Sequence, residues 1–334
     1  MKVSEIGEFG LIKLLADEIE KNGRIHPHSS HVITGIGDDA AVWQSGDPVQ
    51  IATTDSLVQD THFDLSYASW EDIGYKSIAI NLSDIAAMGG IPCYALVSLA
   101  IPGETEVQHV LDAYHGMIRI ANRFGVSIIG GNIAAAEKVI ISVTAIGILD
   151  DSTALIRSSA NPGDKIAITG YTGISAAGLQ MMREGQKFNP DTDEVFIKAH
   201  LQPLPRIEEG QILRKLGVKT AIDISDGLIA DLSHICSASH VEAVIRQDLI
   251  PIHPKLKSCF PENAYNKFIL NGGEDYELLF TAPEHIIEQV KKKISCPVTV
   301  IGEIVDGIPG QVSIIDDSTK TIIQHPSGWE HFKS

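Results

Sequence analysis

Aspartates recur in this chain at the points where apolar runs stop. Gly35 to Val42 reads GIGDDAAV, with Asp38 and Asp39 adjacent between two glycines and an apolar segment. Adjacent carboxylates repel, so they sit in solvent or share a cation. Taken alone, a polar hairpin tip accounts for this turn. Three further stretches share its layout: TTDSLVQDTHF at 53–63, NLSDIAAMGG at 81–90 and IDISDGLIADL at 222–232. Each sets a carboxylate at the end of an apolar run, where α/β proteins carry ligand sites. In the last of them Asp223 ends a predicted strand, and Ser225 and Asp226 open the next helix. A helix cap explains Ser225 or Asp226, but not Asp223 as well. Asp84 lies inside NLSDIAAM with no basic residue one turn away, so it is an internal cap or a ligand.

Other polar groups are ambiguous one at a time. Thr53, Thr54 and Asp55 form a polar turn or a set of oxygen donors, and His62 is a surface histidine or a ligand contact. NGGEDYEL at 271–278 places Glu274 and Asp275 after a Gly-Gly turn, which a turn into a strand also explains. Gly130-Gly131-Asn132 is an ordinary glycine loop or a nest of backbone N–H groups for a phosphate. Arg157 is a solvated turn residue or a phosphate clamp. Trp329, near the C-terminus, plugs an edge of the core or meets a ligand. Five glycine–acid turns in one chain favour the chemical reading when taken together.

Several chemistries are excluded. The chain has no Gly-Lys pair and hence no P-loop, and it lacks G-x-G-x-x-G, H-E-x-x-H and G-x-S-x-G. Thirteen histidines and four cysteines are scattered without ligand spacing. The chemistry therefore rests on carboxylates, and hard oxygen donors at several strand ends favour magnesium. A net charge of −17 argues against nucleic-acid binding through a basic face. It also means that a phosphorylated substrate would need cations to approach these acids. The isolated cysteines and the absence of a signal-peptide layout or an apolar run of membrane-spanning length suggest a cytoplasmic protein with no membrane partner.

Stepping along the 334 residues, strands and helices alternate, as in an α/β (α+β) fold. Helical spacing marks 7–21, then Trp70–Met88 up to Gly89-Gly90, and Glu106–Phe124. Strands are predicted at 31–36, 49–54, 95–101, 126–129 and 138–149. The turn-rich DDSTALIRSSANPGD at 150–164 divides the chain into units 1–150 and 151–334. The second unit reads as strands at 165–169, 219–223, 242–247, 276–281, 297–302 and 311–316. Its helices fall at 173–184, 194–201, 206–216, from Asp226, and at 284–294, with a flexible loop at 185–193.

The order and wording of these motifs resemble thiamine-monophosphate kinase. The stretches that carry the resemblance are GEFGLI, GIGDDAAV, TTDSLVQDTHF, YKSIAINLSDIAAMG, RSSANPGD, TGISAAGL, AIDISDGLIADL, GGEDYEL and the closing GWEHF. The wider superfamily holds aminoimidazole-ribonucleotide synthetase, hydrogenase maturation and selenophosphate synthesis proteins. The resemblance implies an N-terminal α/β domain that dimerises through its sheet, a C-terminal α/β domain, and ATP with several magnesium ions in the cleft. It implies ATP-dependent phosphorylation of thiamine monophosphate to thiamine diphosphate. The alternatives are another ATP-dependent enzyme of the superfamily with a different acceptor, or a non-catalytic nucleotide-binding relative. Carried over residue by residue, the metal ligands fall on Asp39, Thr53, Thr54, Asp55, Asp84, Asp223 and Asp226. Nucleotide contacts fall on Tyr114, Gly131, Arg157 and Ser225, and substrate contacts on His62, Glu274 and Trp329. One position departs: GGNIAAAE stands where the family usually reads GGDTTR, so Asn132 offers a neutral oxygen to metal and nucleotide in place of a charged one.

Overall fold

The computed structural model describes residues 32–34, 38–44, 48–150, 153–315 and 321–324. The expected helix at 7–21 and Trp329 lie outside them. Two sheets and the helices between them make up the described chain. The first sheet holds β1 (Val32–Thr34), β2 (Ala41–Gln44), β3 (Val49–Val58), β4 (Ile91–Ile101), β5 (Ser127–Ala135) and β6 (Ile140–Leu149), in the order β1-β2-β3-β6-β4-β5. Its pairs are antiparallel except β4 with β5, which are joined by a crossover through α2 (Val107–Arg123). Alternation along β6 is regular, with every second residue buried from Ile141 to Leu149.

The other helix of this unit, α1 (Trp70–Ala87), starts at a capping box in which Ser69 and Asp72 satisfy each other's backbone N–H groups. Fourteen of its eighteen residues are buried. It crosses α2 at close range because Gly74 and Gly116 lack side chains: a Cβ on either would stand 1.9 Å from a carbonyl oxygen of the other helix. Its outer end enters the second unit. One apolar cluster joins Ile78, Leu82 and Ala86 to Ala221, Leu278 and Phe280.

The second sheet runs β13-β12-β9-β11-β7-β10-β8, with β7 (Lys165–Thr169), β8 (Thr220–Asp223), β9 (Glu242–Arg246), β10 (Leu278–Ala282), β11 (Val298–Val305), β12 (Val312–Ile315) and β13 (Thr321–Gln324). Around it lie α3 (Ile174–Glu184), α4 (Pro190–Leu201), α5 (Ile207–Lys215), α6 (Leu228–Ser239), α7 (Pro254–Cys259), α8 (Glu262–Asn271) and α9 (Glu284–Lys293). The mixed α/β architecture matches the sequence-based expectation. No helix among the described residues is long and apolar enough to cross a membrane.

Four local expectations change. β3 continues through Asp55 to Val58, because its ladder to β6 persists over all ten residues. β5 runs through Gly130-Gly131-Asn132 to Ala135, so the glycines belong to a strand: a Cβ at Gly131 would stand 1.8 Å from the Val97 carbonyl oxygen of β4. The loop predicted at 185–193 holds the first turn of α4, with Asn189 capping it and Pro190 at its start. The helix predicted from Asp226 begins at Leu228. α7 and α8 escaped prediction; the apolar residues of α8 come as one run, Phe268-Ile269-Leu270, which carries no helical period.

Candidate active site

The acids of these stretches converge on one cavity of about 1110 Å³ between the two sheets. Asp38 and Asp39 reach it from the turn before β2, Thr53 to Asp55 from the middle of β3, and Asp84 from the last turns of α1. Asp223 comes from the end of β8, with Ser225 and Asp226 on the following loop. Oxygen atoms of Asp39, Asp84 and Asp223 lie within 4.8 Å of one another. Burial, with the charges of Asp55, Asp223 and Asp39, pushes the Asp84 carboxyl well above the usual range. Burial and then the Asp39 charge push Asp223 up to about 8, against the hydroxyl of Ser83, which donates to it at 2.5 Å. The Thr53 hydroxyl donates to Asp84 at 2.7 Å, and the Asn81 side-chain oxygen accepts the Asp55 N–H at 3.0 Å. Thr54 faces the other side of its strand, and its hydroxyl donates to the Val143 carbonyl.

One cation answers this cluster directly. Arg157 grips Asp39 with two N–H groups, Nη2 at 2.5 Å and Nε at 3.1 Å. Burial works against its charge, but Asp39 and then Asp38 and Asp223 hold the guanidinium protonated. The adjacent carboxylates of the opening turn thus divide their work. Asp38 accepts the backbone N–H of Asp39 and of Arg157 and shapes the turn, while Asp39 faces the cluster. Burial and the Asp39 charge raise Asp38 to about 6. Several buried carboxylates against one arginine leave a local excess of negative charge, and the donors are all hard oxygens. This set fits a magnesium-type cation, with Asp39, Asp55, Asp84 and Asp223 as holders.

Residues that the sequence reading missed hold this arrangement. Asp231, buried in the first turn of α6, accepts the backbone N–H groups of Ser225, Asp226 and Gly227 on one oxygen. It thereby shapes the loop that carries Ser225 and Asp226 into the helix. Asp226, Asp231 and His234 form a second group of potential metal-ligating side chains beside the cavity. Asp275 accepts from the N–H groups of Gly173 and Ser175 and caps α3. The spacing of Asp231 and Asp275 from the loops they serve, Asp231 from 225–227 and Asp275 from 173–175, carries no recognised motif.

Further lining comes from His62, His200, Glu274 and Tyr276. His62 Nδ1 accepts the Val58 N–H at 3.1 Å. Glu274 sits at φ 63°, a conformation uncommon for a side chain of this kind, and its N–H donates to the Ser225 carbonyl at 2.8 Å. Burial, then Glu274, Asp55, Asp223 and Asp84, raises the Tyr276 phenol, so the charges of both groups reach one buried ring. Three predicted contacts are elsewhere. Tyr114, Gly131 and Asn132 border a separate depression of about 320 Å³ with Val97 and Ile133. Within one chain Asn132 does not join the acids. Around it the open face of the first sheet exposes Tyr94, Leu96, Ile129 and Ile133.

Comparison with known proteins gives a consistent picture. The family described as AIR synthase related protein matches with its N-terminal domain over residues 37–149 and with its C-terminal domain over 161–314. Thiamine-monophosphate kinase of Bacillus subtilis is 38% identical over 92% of this chain and 95% of its own. The solved structure of AaThiL complexed with AMPPCP and TMP superposes with a TM-score of 0.83 at 33% identity, covering 99% of each chain. Thiamine monophosphate kinase from Aquifex aeolicus gives a TM-score of 0.79 at 31% identity, over 96% of this chain and 99% of that one.

Proposed function

Because the chain belongs to the thiamine-monophosphate kinase family, we propose that it transfers the γ-phosphoryl group of ATP to the phosphate of thiamine monophosphate, giving thiamine diphosphate and ADP. One observation carries this reading. A single cavity holds both an acidic cluster able to take cations with polyphosphate and a half-buried carboxylate, Glu274, suited to an amino-bearing ring. The joint binding of AMPPCP and TMP by the similar AaThiL supports the same pairing.

The chemistry needs no general base. The second pKa of a phosphate monoester is about 6, so the attacking oxygen is largely anionic at neutral pH. The difficulty is repulsion between two polyanions, and positioning is the remedy. Magnesium held by Asp39, Thr53, Asp55, Asp84, Asp223 and Asp226 would neutralise the phosphates and align them, while Thr54, turned to the other side of β3, would not take part. Asp231 fixes the backbone that presents Ser225 to the nucleotide. Arg157 shares Asp39 with that cluster, so its fork is within reach of a phosphate once a stronger cation holds the carboxylate. At an effective dielectric of about 20, a unit-charge contact at 4 Å is worth roughly 4 kcal/mol, so one arginine alone falls short of several divalent charges. His62 and Glu274 would hold the aminopyrimidine. Trp329, carried by the family resemblance, would stack on the thiazolium for about 0.5–2 kcal/mol.

The exposed apolar residues Tyr94, Leu96, Ile129 and Ile133 support a homodimer closed through this sheet face, which would bury them. The depression bordered by Tyr114, Gly131 and Asn132 lies in the same region, and in such a pair it would meet the nucleotide beside the partner's cavity. The unit 1–150 then serves ATP, magnesium and dimerisation. The described cysteines are all free thiols, in keeping with a cytoplasmic setting.

Protein, ATP, magnesium and thiamine monophosphate should together yield thiamine diphosphate. Absence of product at any magnesium concentration would refute the function. Product formed without magnesium, or unaffected by Asp55→Ala, would refute the mechanism.

A further inference from the structure

Lys76 is an anomaly in α1. It is 2% exposed, the largest of the fully buried side chains among the described residues, and the one basic group on this helix. Its ammonium lies 2.7 Å from Glu274 Oε1 as an ion pair, and no polar atom among the described residues meets it in hydrogen-bond geometry. Glu274 Oε2 lies 3.4 Å from Nδ1 of His200, itself 1% exposed and 3.1 Å from the Ser175 hydroxyl. Glu274 keeps 27% of its side chain accessible and lines the cavity, whereas Lys76 does not reach it.

A purely structural account is weak. Buried ion pairs seldom add stability over apolar residues of the same size, because desolvating both charges consumes the Coulombic gain. Glu274 also holds a left-handed backbone conformation, which costs energy for a residue with a side chain. What the pair does secure is the charge state of the carboxyl. Burial alone would drive Glu274 to take a proton, but the Lys76 ammonium 2.7 Å away holds it below the usual range. His200 stays neutral, its pKa pushed down to about 3 by burial and by Lys76, so it adds no competing full charge. An ionised glutamate offers acceptors only, whereas a protonated one offers a donor too. A ligand group facing the ionised form must donate.

We propose that Lys76 is a positioning residue for acceptor specificity: by fixing Glu274 as an oriented carboxylate, it makes the cavity select a ring that bears an amino group over the same ring bearing a carbonyl oxygen. This rests on Glu274 meeting the acceptor as proposed above. A site built to pair with a donor rejects an analogue without one far more strongly than an apolar pocket rejects a small change in size.

The test compares thiamine monophosphate with its analogue carrying oxygen in place of the ring amino group, using wild type, Lys76→Met, Glu274→Gln and the double variant. Wild type should prefer the amino form by at least a hundredfold in kcat/KM. In Lys76→Met the KM for thiamine monophosphate should rise at least tenfold, the KM for ATP should stay within about twofold, and the preference should largely vanish. The double variant should be no worse than Glu274→Gln alone, since both variants remove the same carboxylate. It also leaves no buried charge unpaired, so it can be read even where Lys76→Met fails to fold. A Lys76→Met enzyme with lower Tm but unchanged KM and preference would overturn the inference, as would a double variant that keeps wild-type preference. A wild type that does not phosphorylate thiamine monophosphate refutes the proposed function itself, whereas turnover with an unaffected Lys76→Met refutes only the role given to Lys76.

Discussion

Replacing Asp84 by asparagine should stabilise the metal-free protein while disabling it. Asp84 shares a volume with Asp39 and Asp223 in which ligand oxygens lie within 4.8 Å of one another. At that separation and an effective dielectric of 20, each like-charged pair costs about 3.5 kcal/mol. Two neighbours would therefore cost about 7 kcal/mol if all three acids stayed ionised. Proton uptake relieves part of this, as the upward shifts of Asp84 and Asp223 indicate, and the Arg157 fork on Asp39 relieves more. An amide in place of Asp84 keeps an oxygen for the Thr53 hydroxyl and removes both repulsions. Urea unfolding at pH 8 with a chelator should show Asp84→Asn more stable than wild type by at least about 2 kcal/mol. With magnesium in excess the order should reverse, because wild type gains binding energy that the variant loses. Phosphoryl transfer should fall by at least about a hundredfold. A variant less stable than wild type in chelator, or one that gains as much from magnesium, would refute the reading of this cluster as a cation site.

Other expectations concern separate parts of the molecule. His200 is neutral in the fold with its pKa near 3, against about 6.5 unfolded, so the unfolded chain binds the extra proton between these values. Stability should thus decline as pH falls below 6.5, by up to about 1.4 kcal/mol per unit from this group, and His200→Gln should remove that slope in urea titrations between pH 7 and 5. Gly116→Ala would place a Cβ 1.9 Å from the Glu71 carbonyl oxygen, so thermal unfolding should show a loss of roughly 3 kcal/mol where an exposed helix would gain from alanine. Asn132→Asp restores the acid that the family usually carries in this stretch; magnesium half-saturation should drop several-fold with Tm unchanged, and unaltered kinetics would show that the position does not limit turnover.

Much of the acidic site was legible because acids stand out against apolar runs. Asp223 ends β8, where α/β folds gather ligands, whereas Asp39 lies in a turn, Asp55 in mid-strand and Asp84 within α1. Lys76 was not legible for a complementary reason. α1 is buried nearly all round, so its sequence has no polar face against which one lysine would stand out. Asp231 escaped because its three N–H partners belong to a loop whose shape the sequence does not state. Tyr114, Gly131 and Asn132 were grouped with the nucleotide by motif, yet they border a depression of their own. Their tie to the cavity would pass through a second copy, and one chain's order of residues carries no sign of that.

The continuity of α1 has a consequence for which acceptors the proposed function would allow. Lys76 and Asp84 are eight residues apart on one continuous helix, which at 1.5 Å per residue spans roughly 12 Å. One helix therefore carries both the lysine behind Glu274 and a carboxylate of the acidic cluster. Clamped between both sheets and against α2, it cannot stretch to suit a longer or shorter molecule. Under the proposed function this spacing would gauge the acceptor's length as well as its chemistry, and inserting one residue between Lys76 and Asp84 would swing one of them about 100° around the helix.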